Sequence, residues 1–175
     1  TAPTVAAYTH AKAATLQGEV LVISDNGLGT VQQLVSIDLG VSFSEVFNGI
    51  AGIWSTVATS RGRFVVGILD ATAGNPGDAI AYVLGSAGDS LADADPVTID
   101  GSGDVVEVEL VSEPDGTLWA YLKKYNPASG VTIPQTEIAL STDGGESWTN
   151  KGVAHRSSST TAVQQDNHRA LHVAG

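Results

Sequence analysis

Carboxylates are the most numerous side chains in this sequence that could do acid–base chemistry, since it holds 19 Asp and Glu against 4 His. Glu107 and Glu109 stand two residues apart, and a pair of carboxylates is what glycoside hydrolysis requires. Both alternate with valines across residues 105–111, however, and this alternation is typical of a half-buried strand with one wet face. We therefore assign them to that face, predict no catalytic residues, and expect that the chain is not an enzyme.

Aspartates and histidines are the next candidates, because both can hold metal ions. Four aspartates between residues 89 and 100 could offer oxygen ligands to Ca²⁺, but their spacing does not match a calcium-binding loop. His168 and His172 would share one face of a strand, a spacing that is not typical of zinc sites. We interpret these groups as a solvated loop and as edge histidines, and we predict no metal and no cofactor.

Three aromatic residues are candidate ligand contacts. Trp54, Trp119 and Tyr121 could form a platform on which a sugar ring stacks, since their rings combine a flat apolar face with a polar edge. Trp119 and Tyr121 lie in an apolar segment, residues 118–122, so a place in the core is the alternative interpretation.

The most informative stretch is an eight-residue turn that follows the apolar segment 136–140. Ser141, Asp143, Gly145 and Trp148 have the spacing Ser-x-Asp-x-Gly-x-x-Trp. The aspartate can accept hydrogen bonds from backbone N–H groups of its own turn. The glycine permits a positive φ, and the indole N–H can reach back to a carbonyl. This pattern predicts a hairpin that is closed by its own side chains.

This spacing resembles the Asp-box, or bacterial-neuraminidase repeat, which occurs in sialidases and many other β-propellers. The resemblance implies that the hairpin lies on the outer part of a propeller blade and that Asp143 is structural. Sialidases also need an arginine cluster, and the only arginines are Arg61, Arg63, Arg156 and Arg169. The Arg-Ile-Pro signature is absent, so the resemblance implies a sialidase-like fold without the catalytic signature.

The elements that must position this turn form a repeating series of short strands and tight turns. A degenerate box is predicted at Asp25 and Gly27, and a further one at Gly88, each after an apolar strand. We predict an all-β fold of about three four-stranded antiparallel propeller-type blades, each of roughly 50–60 residues. The only helix candidate is the short segment 41–47.

The repeats suggest how the chain is divided. We predict one propeller-type segment over residues 1–175, with units at approximately 1–40, 41–101 and 102–156 and the start of a further unit at 157–175. Three units are too few to close a ring of about 4–8 blades. We therefore expect an oligomer or a larger chain, in which other subunits, a second copy or the rest of a longer chain supplies the missing blades.

Composition excludes several kinds of partner. The net charge is −11, and eight Lys and Arg are too few to build the basic surface that nucleic acids require. The sequence contains no run of about 18 apolar residues, so we expect no membrane insertion. The sequence has no Cys, which excludes disulfides, and no Met, which is expected of a processed product or a piece of a longer protein.

These observations favour a non-enzymatic structural or interaction module of a larger extracellular or virion assembly, such as a phage tail. Such a module would recognise a surface glycan or a partner protein. Two alternatives stay open at this point: a fragment of a sialidase-like glycoside hydrolase whose catalytic residues lie elsewhere, and a secreted glycan-binding propeller.

Overall fold

The computed structural model describes residues 10–25, 29–71 and 76–156, and all regular structure within them is β. These ranges contain no helix that is long and apolar enough to cross a membrane. The strands of the described residues are β1 His10–Leu16, β2 Glu19–Asp25, β3 Thr30–Ser36, β4 Ser44–Ala51, β5 Ile53–Ser60, β6 Arg63–Asp70, β7 Gly77–Leu84, β8 Val97–Ser112, β9 Leu118–Asn126, β10 Val131–Ser141 and β11 Thr149–Arg156.

The strands pair with their sequence neighbours in two antiparallel sheets. One sheet has the order β1-β2-β3-β4, and the other has the order β11-β10-β9-β8-β7-β6-β5. β8 is 16 residues long and pairs with two different strands. Its first part, as far as Val105, pairs with β7, and its second part, from Val105 onward, pairs with β9. The larger sheet therefore contains two four-stranded units that share one strand.

We refer to β1–β4 as the first unit, to β5–β7 with residues 97–105 as the second, and to residues 105–112 with β9–β11 as the third. Their leading strands are neighbours, since β1 contacts β5 and β5 contacts β8. Two-residue turns lead from the first strand to the second in the first two units. Gln17 and Arg61 open these turns with φ of 51° and 50°, each followed by a positive-φ glycine, as tight hairpins of this type require.

The units pack face to face around β6, whose side chains alternate between two apolar clusters. Phe64 and Val66 are buried with Leu21 of the first unit. Val65 is buried in the opposite direction, in the cluster that contains Leu118 of the third unit. Since both faces of β6 are covered, its sequence is continuously apolar, and the second unit is held between the other two.

The predicted all-β class and its division into three four-stranded units are confirmed. The helix candidate at 41–47 is wrong, because residues 41–43 complete a turn and β4 begins at Ser44. β4 lies in the range that we assigned to the second unit, yet it pairs with β3 of the first. The predicted further unit at 157–175 lies outside the described residues.

Candidate functional site

The turn Ser141–Trp148 is closed by its own side chains. Oδ1 of Asp143 accepts hydrogen bonds from the hydroxyl of Ser141 at 2.8 Å and from the backbone N–H of Ser147 at 3.0 Å. The same Ser141 hydroxyl accepts from the N–H of Gly145 at 2.8 Å, and the Trp148 indole N–H donates to the Gly145 carbonyl at 3.2 Å. The Ser147 side chain, followed by its N–H and Ser141, lowers the pKa of Asp143 to about 2. The carboxylate is thus ionised and occupied within its turn.

A second turn, Ser36–Phe43, has the same hydrogen bonds. The Ser36 hydroxyl donates to Oδ1 of Asp38 at 2.7 Å and accepts from the N–H of Gly40 at 2.7 Å. The N–H of Ser42 donates to Oδ1 of Asp38 at 2.9 Å. Hydrogen bonds from Ser36, and then from Ser42, lower the pKa of Asp38 to about 2. The two turns occupy the same place, between the third and fourth strands of their units.

This finding corrects the degenerate box that we predicted at Asp25 and Gly27. Asp25 ends β2, is fully buried, and accepts hydrogen bonds from the N–H and hydroxyl of Ser55 on β5 at 3.2 and 3.3 Å. It joins two units, and Gly27 lies outside the described residues. The sequence did contain a signal for the true position, because Ser36–Phe43 has the Ser, Asp and Gly spacing with Phe in the last place. We missed it because residues 41–43 were included in the helix candidate 41–47.

An open cleft is present on the described part of the molecule. It lies where the hairpin turns between the first and second strands of all three units converge. Its volume is about 570 Å³, and it is lined by Leu16, residues 59–62 and residues 112–116. The Ser60 hydroxyl donates to the Gly116 carbonyl and links two of these turns. Gly116 has φ of 86°, and a Cβ there would lie 3.0 Å from Cγ of Arg61. The cleft therefore has a wall of tightly packed turns.

The cleft offers charged groups of both signs. Arg61, Glu113 and Asp115 line it, and Trp119 donates its indole N–H to Oε1 of Glu113 at 2.9 Å. Hydrogen bonds from Thr117, with a smaller effect of the Arg61 charge, lower the pKa of Asp115. A general acid needs a raised pKa, so Asp115 is suited to binding and not to proton donation.

The candidate aromatic contacts are only partly brought together. Trp119 and Tyr121 lie on one face of β9 and are half-buried, whereas Leu118 and Ala120 face the core. Trp119 does not line the cleft, although its indole N–H donates to Glu113, which does. Trp54 belongs to β5, and its side chain lies outside what the structure describes.

A buried ion cluster was not foreseen from the sequence. The Lys124 ammonium lies 2.8 Å from Asp100 and 3.0 Å from Glu137, and all three side chains are almost wholly buried. Burial by itself would lower the pKa of Lys124, but hydrogen bonds and charges of the two carboxylates outweigh it and raise that pKa. Because it joins β8, β9 and β10, the cluster is structural. The described part of the chain holds no group of three or more His, Asp or Glu that could bind a metal ion.

Comparison with solved structures shows the fold. The chain resembles a thermostable family-43 glycoside hydrolase (TM-score 0.62, 12% identity, 91% of this chain and 57% of that one). It also resembles a putative exo-β-1,3-galactanase from Bifidobacterium bifidum s17 (TM-score 0.58, 14% identity, 83% and 52%). A third is the Trypanosoma rangeli sialidase in complex with 2,3-difluorosialic acid (TM-score 0.57, 15% identity, 87% and 31%).

The three four-stranded units are therefore propeller-type blades, and the chain spans 57% or less of the length of these structures. No family model and no curated protein matches the sequence. Identities of 12–15% establish a shared fold and do not transfer an activity.

Proposed function

We propose that this chain is a non-enzymatic interaction module of a larger extracellular or virion assembly, and that it recognises a glycan in the cleft between its hairpin turns. The observation that carries the proposal is the cleft itself. Turns of three blades meet there and present Arg61, Glu113 and Asp115 around a space of about 570 Å³, a size that suits a small ligand.

The chemistry of the cleft suits a sugar. A guanidinium donates hydrogen bonds and carboxylates accept them, so together they can bind the hydroxyl groups of a sugar ring. The indole N–H of Trp119, which does not itself line the cleft, holds Glu113 in position.

The arginines also favour binding over sialidase chemistry. Arg61 lines the cleft, whereas the guanidinium of Arg63 is held by Glu146 and by the Asp143 carbonyl. One arginine can pair with an anionic sugar, but it does not make the cluster on which sialidases depend.

The proposal is tested by titrating the chain with 3′-sialyllactose and with a β-1,3-galactan oligosaccharide in a calorimeter. Arg61→Asn removes the guanidinium while Asn tolerates the positive φ at this position. We expect it to weaken binding about tenfold, the loss of roughly one charge-assisted hydrogen bond. Lys151→Asn, an exposed position on β11, is the control and should leave affinity unchanged. Binding of neither sugar would overturn the glycan part of the proposal.

A hydrolase fragment is the second candidate, because the solved structures that share this fold include glycoside hydrolases and the chain spans only part of their length. Incubation with fluorogenic sialosides and galactosides separates the two candidates. Turnover that is abolished by Glu113→Gln would establish the hydrolase and reject the non-enzymatic module.

A further inference from the structure

The turn Ser36–Phe43 carries the most exposed large apolar side chains of the described residues. Ile37 is 80% exposed, Leu39 73% and Val41 86%. Exposed apolar clusters on an otherwise polar surface mark interaction sites. The other two units of this chain indicate what such a turn contacts.

The turn of the third unit docks on the second unit. Arg63, the first residue of β6, donates to the Asp143 carbonyl at 3.0 Å and pairs with Glu146. Gly145 lies so close to Val65 that an added Cβ would be 2.9 Å from the valine side chain. Strand β6 and its neighbour β7 therefore form the surface that receives the turn.

The loop after β7 docks on the first unit in the same manner. Glu19, the first residue of β2, accepts from the N–H of Ala87 at 2.8 Å. The Gln33 side chain donates to the carbonyls of Ala87 and Asp89 at 3.0 and 2.6 Å and accepts from the N–H of Leu91 at 3.0 Å. At both junctions, the start of the second strand holds the incoming loop.

Strand register identifies the matching surface on the third unit. In each unit, one residue pair of the second and third strands lies one step in from the turn end. These pairs are Leu21 with Val35, Val65 with Val83, and Trp119 with Leu140. The third-strand members Val35, Val83 and Leu140 are half-buried in all three units. The second-strand members differ, because Leu21 and Val65 are fully buried whereas Trp119 is only half-buried. Among the described residues, the third unit thus has a receiving surface without a turn, and the first unit has a turn without a receiving surface.

The backbone of the first turn gives an independent observation. Leu39 has φ of 58° where the third unit has Gly144 at 82°, and Gly40 has 89° where Gly145 has 95°. A leucine in the left-handed region is strained, and within this chain its side chain gains little burial in return. Gly144 and Gly145 are buried, whereas Leu39 and Gly40 are exposed.

We propose that the turn Ser36–Phe43 of one copy docks on the Trp119–Leu140 surface of a second copy, head to tail. Two such contacts related by a twofold axis would close two chains of three blades into a ring of six, within the usual size of propellers. This inference rests on the proposed interaction role and is independent of the glycan.

The polar contacts also fit this pairing. At the junction of the second and third units, Arg63 and Glu146 form an ion pair. By strand register, Thr117 of the third unit corresponds to Arg63 of the second unit. Within the turns, Val41 of the first unit corresponds to Glu146 of the third. Because both members of the pair are uncharged in the proposed contact, neither leaves a buried charge without a partner.

Sedimentation of the full chain over a concentration series tests the proposal. Leu39→Gly matches the third turn and relieves the positive φ, so it should weaken dimerisation about tenfold or more without lowering the melting temperature. Ile133→Ala, at an exposed apolar position at the other end of β10, is the control and should leave the dimer intact.

The most discriminating test introduces a charge pair at the proposed contact. Val41→Glu alone should dissociate the dimer, and Val41→Glu with Thr117→Arg should restore it, since the two changes recreate the pair that joins the second and third units. A chain that stays monomeric up to about 100 µM, or a dimer that neither Leu39→Gly nor Val41→Glu weakens, would overturn the proposal. Glycan titration of the unaltered chain and of Leu39→Gly shows separately whether the cleft functions, since position 39 does not line the cleft.

Discussion

The turns Ser36–Phe43 and Ser141–Trp148 are alike within themselves and differ in their surroundings. In both, a serine and an aspartate close the turn with hydrogen bonds of nearly the same length, and the pKa of the aspartate falls to about 2. The third-unit turn is packed against β6, however, and the first-unit turn is exposed. The comparison separates what a turn sequence does locally from what a neighbouring blade adds.

The side chains of the two turns follow their surroundings. Where the third turn approaches β6, it has Gly144 and Gly145, because a Cβ at either position would clash with Arg63 or Val65. The first turn has Leu39 in the place of Gly144, and a Cβ added at Gly40 would meet only Phe43, at 3.9 Å. Close packing on Val65 thus accounts for the glycine at position 145, and the open surface leaves room for a side chain at position 39.

The largest difference is expected between Gly145→Ala and Gly40→Ala. Both glycines have a positive φ, so both variants carry the same backbone penalty of about 1 kcal/mol. Only Gly145→Ala also pushes a methyl group into Val65, which should add about 1–3 kcal/mol. Urea unfolding of both variants measures this. Equal losses of stability would contradict the packing that we describe.

A smaller difference is expected between Asp143→Ala and Asp38→Ala. Each removes the acceptor that holds a turn together, and loss of the Asp143 hydrogen bonds should cost about 1–3 kcal/mol. Asp38→Ala should cost less, because Asp38 is exposed whereas Asp143 is half-buried, and the Ser141 hydroxyl that Asp143 holds accepts from a buried N–H, that of Gly145. Thermal melts of the two variants decide the order. If the Asp38 variant is the less stable one, the first turn is covered in solution.

The smallest effect, and one that should be equal in the two turns, concerns pH. Both aspartates titrate at about 2 instead of 3.8, so the unfolded chain takes up their protons first as pH falls. Their contribution to stability is complete above about pH 4 and is lost as pH falls towards 2. Asp38→Asn and Asp143→Asn should each flatten the acid side of a melting-temperature curve measured from pH 2 to 5. A change in only one variant would show that the turns differ electrostatically.

Much of the fold could be predicted because its signals are local. Alternating apolar residues and glycine turns identified the strands, and the hairpin predicted at Ser141–Trp148 was found between β10 and β11. The hydrogen bonds of the Asp143 carboxylate lie within the seven residues 141–147, so spacing alone was sufficient. The same logic would have found Ser36–Phe43, and the error was to include its last residues, 41–43, in a helix candidate.

The sequence by itself determined the β class, the hairpins and the self-closing turns, because the hydrogen bonds of each involve residues close in the chain. The tertiary structure alone decided which segments meet. It buried Lys124 between Asp100 and Glu137, joined Asp25 to Ser55, and brought Arg61 beside Glu113 and Asp115 in one cleft. It also covered one turn and left its counterpart exposed, since burial depends on strands that are distant in sequence.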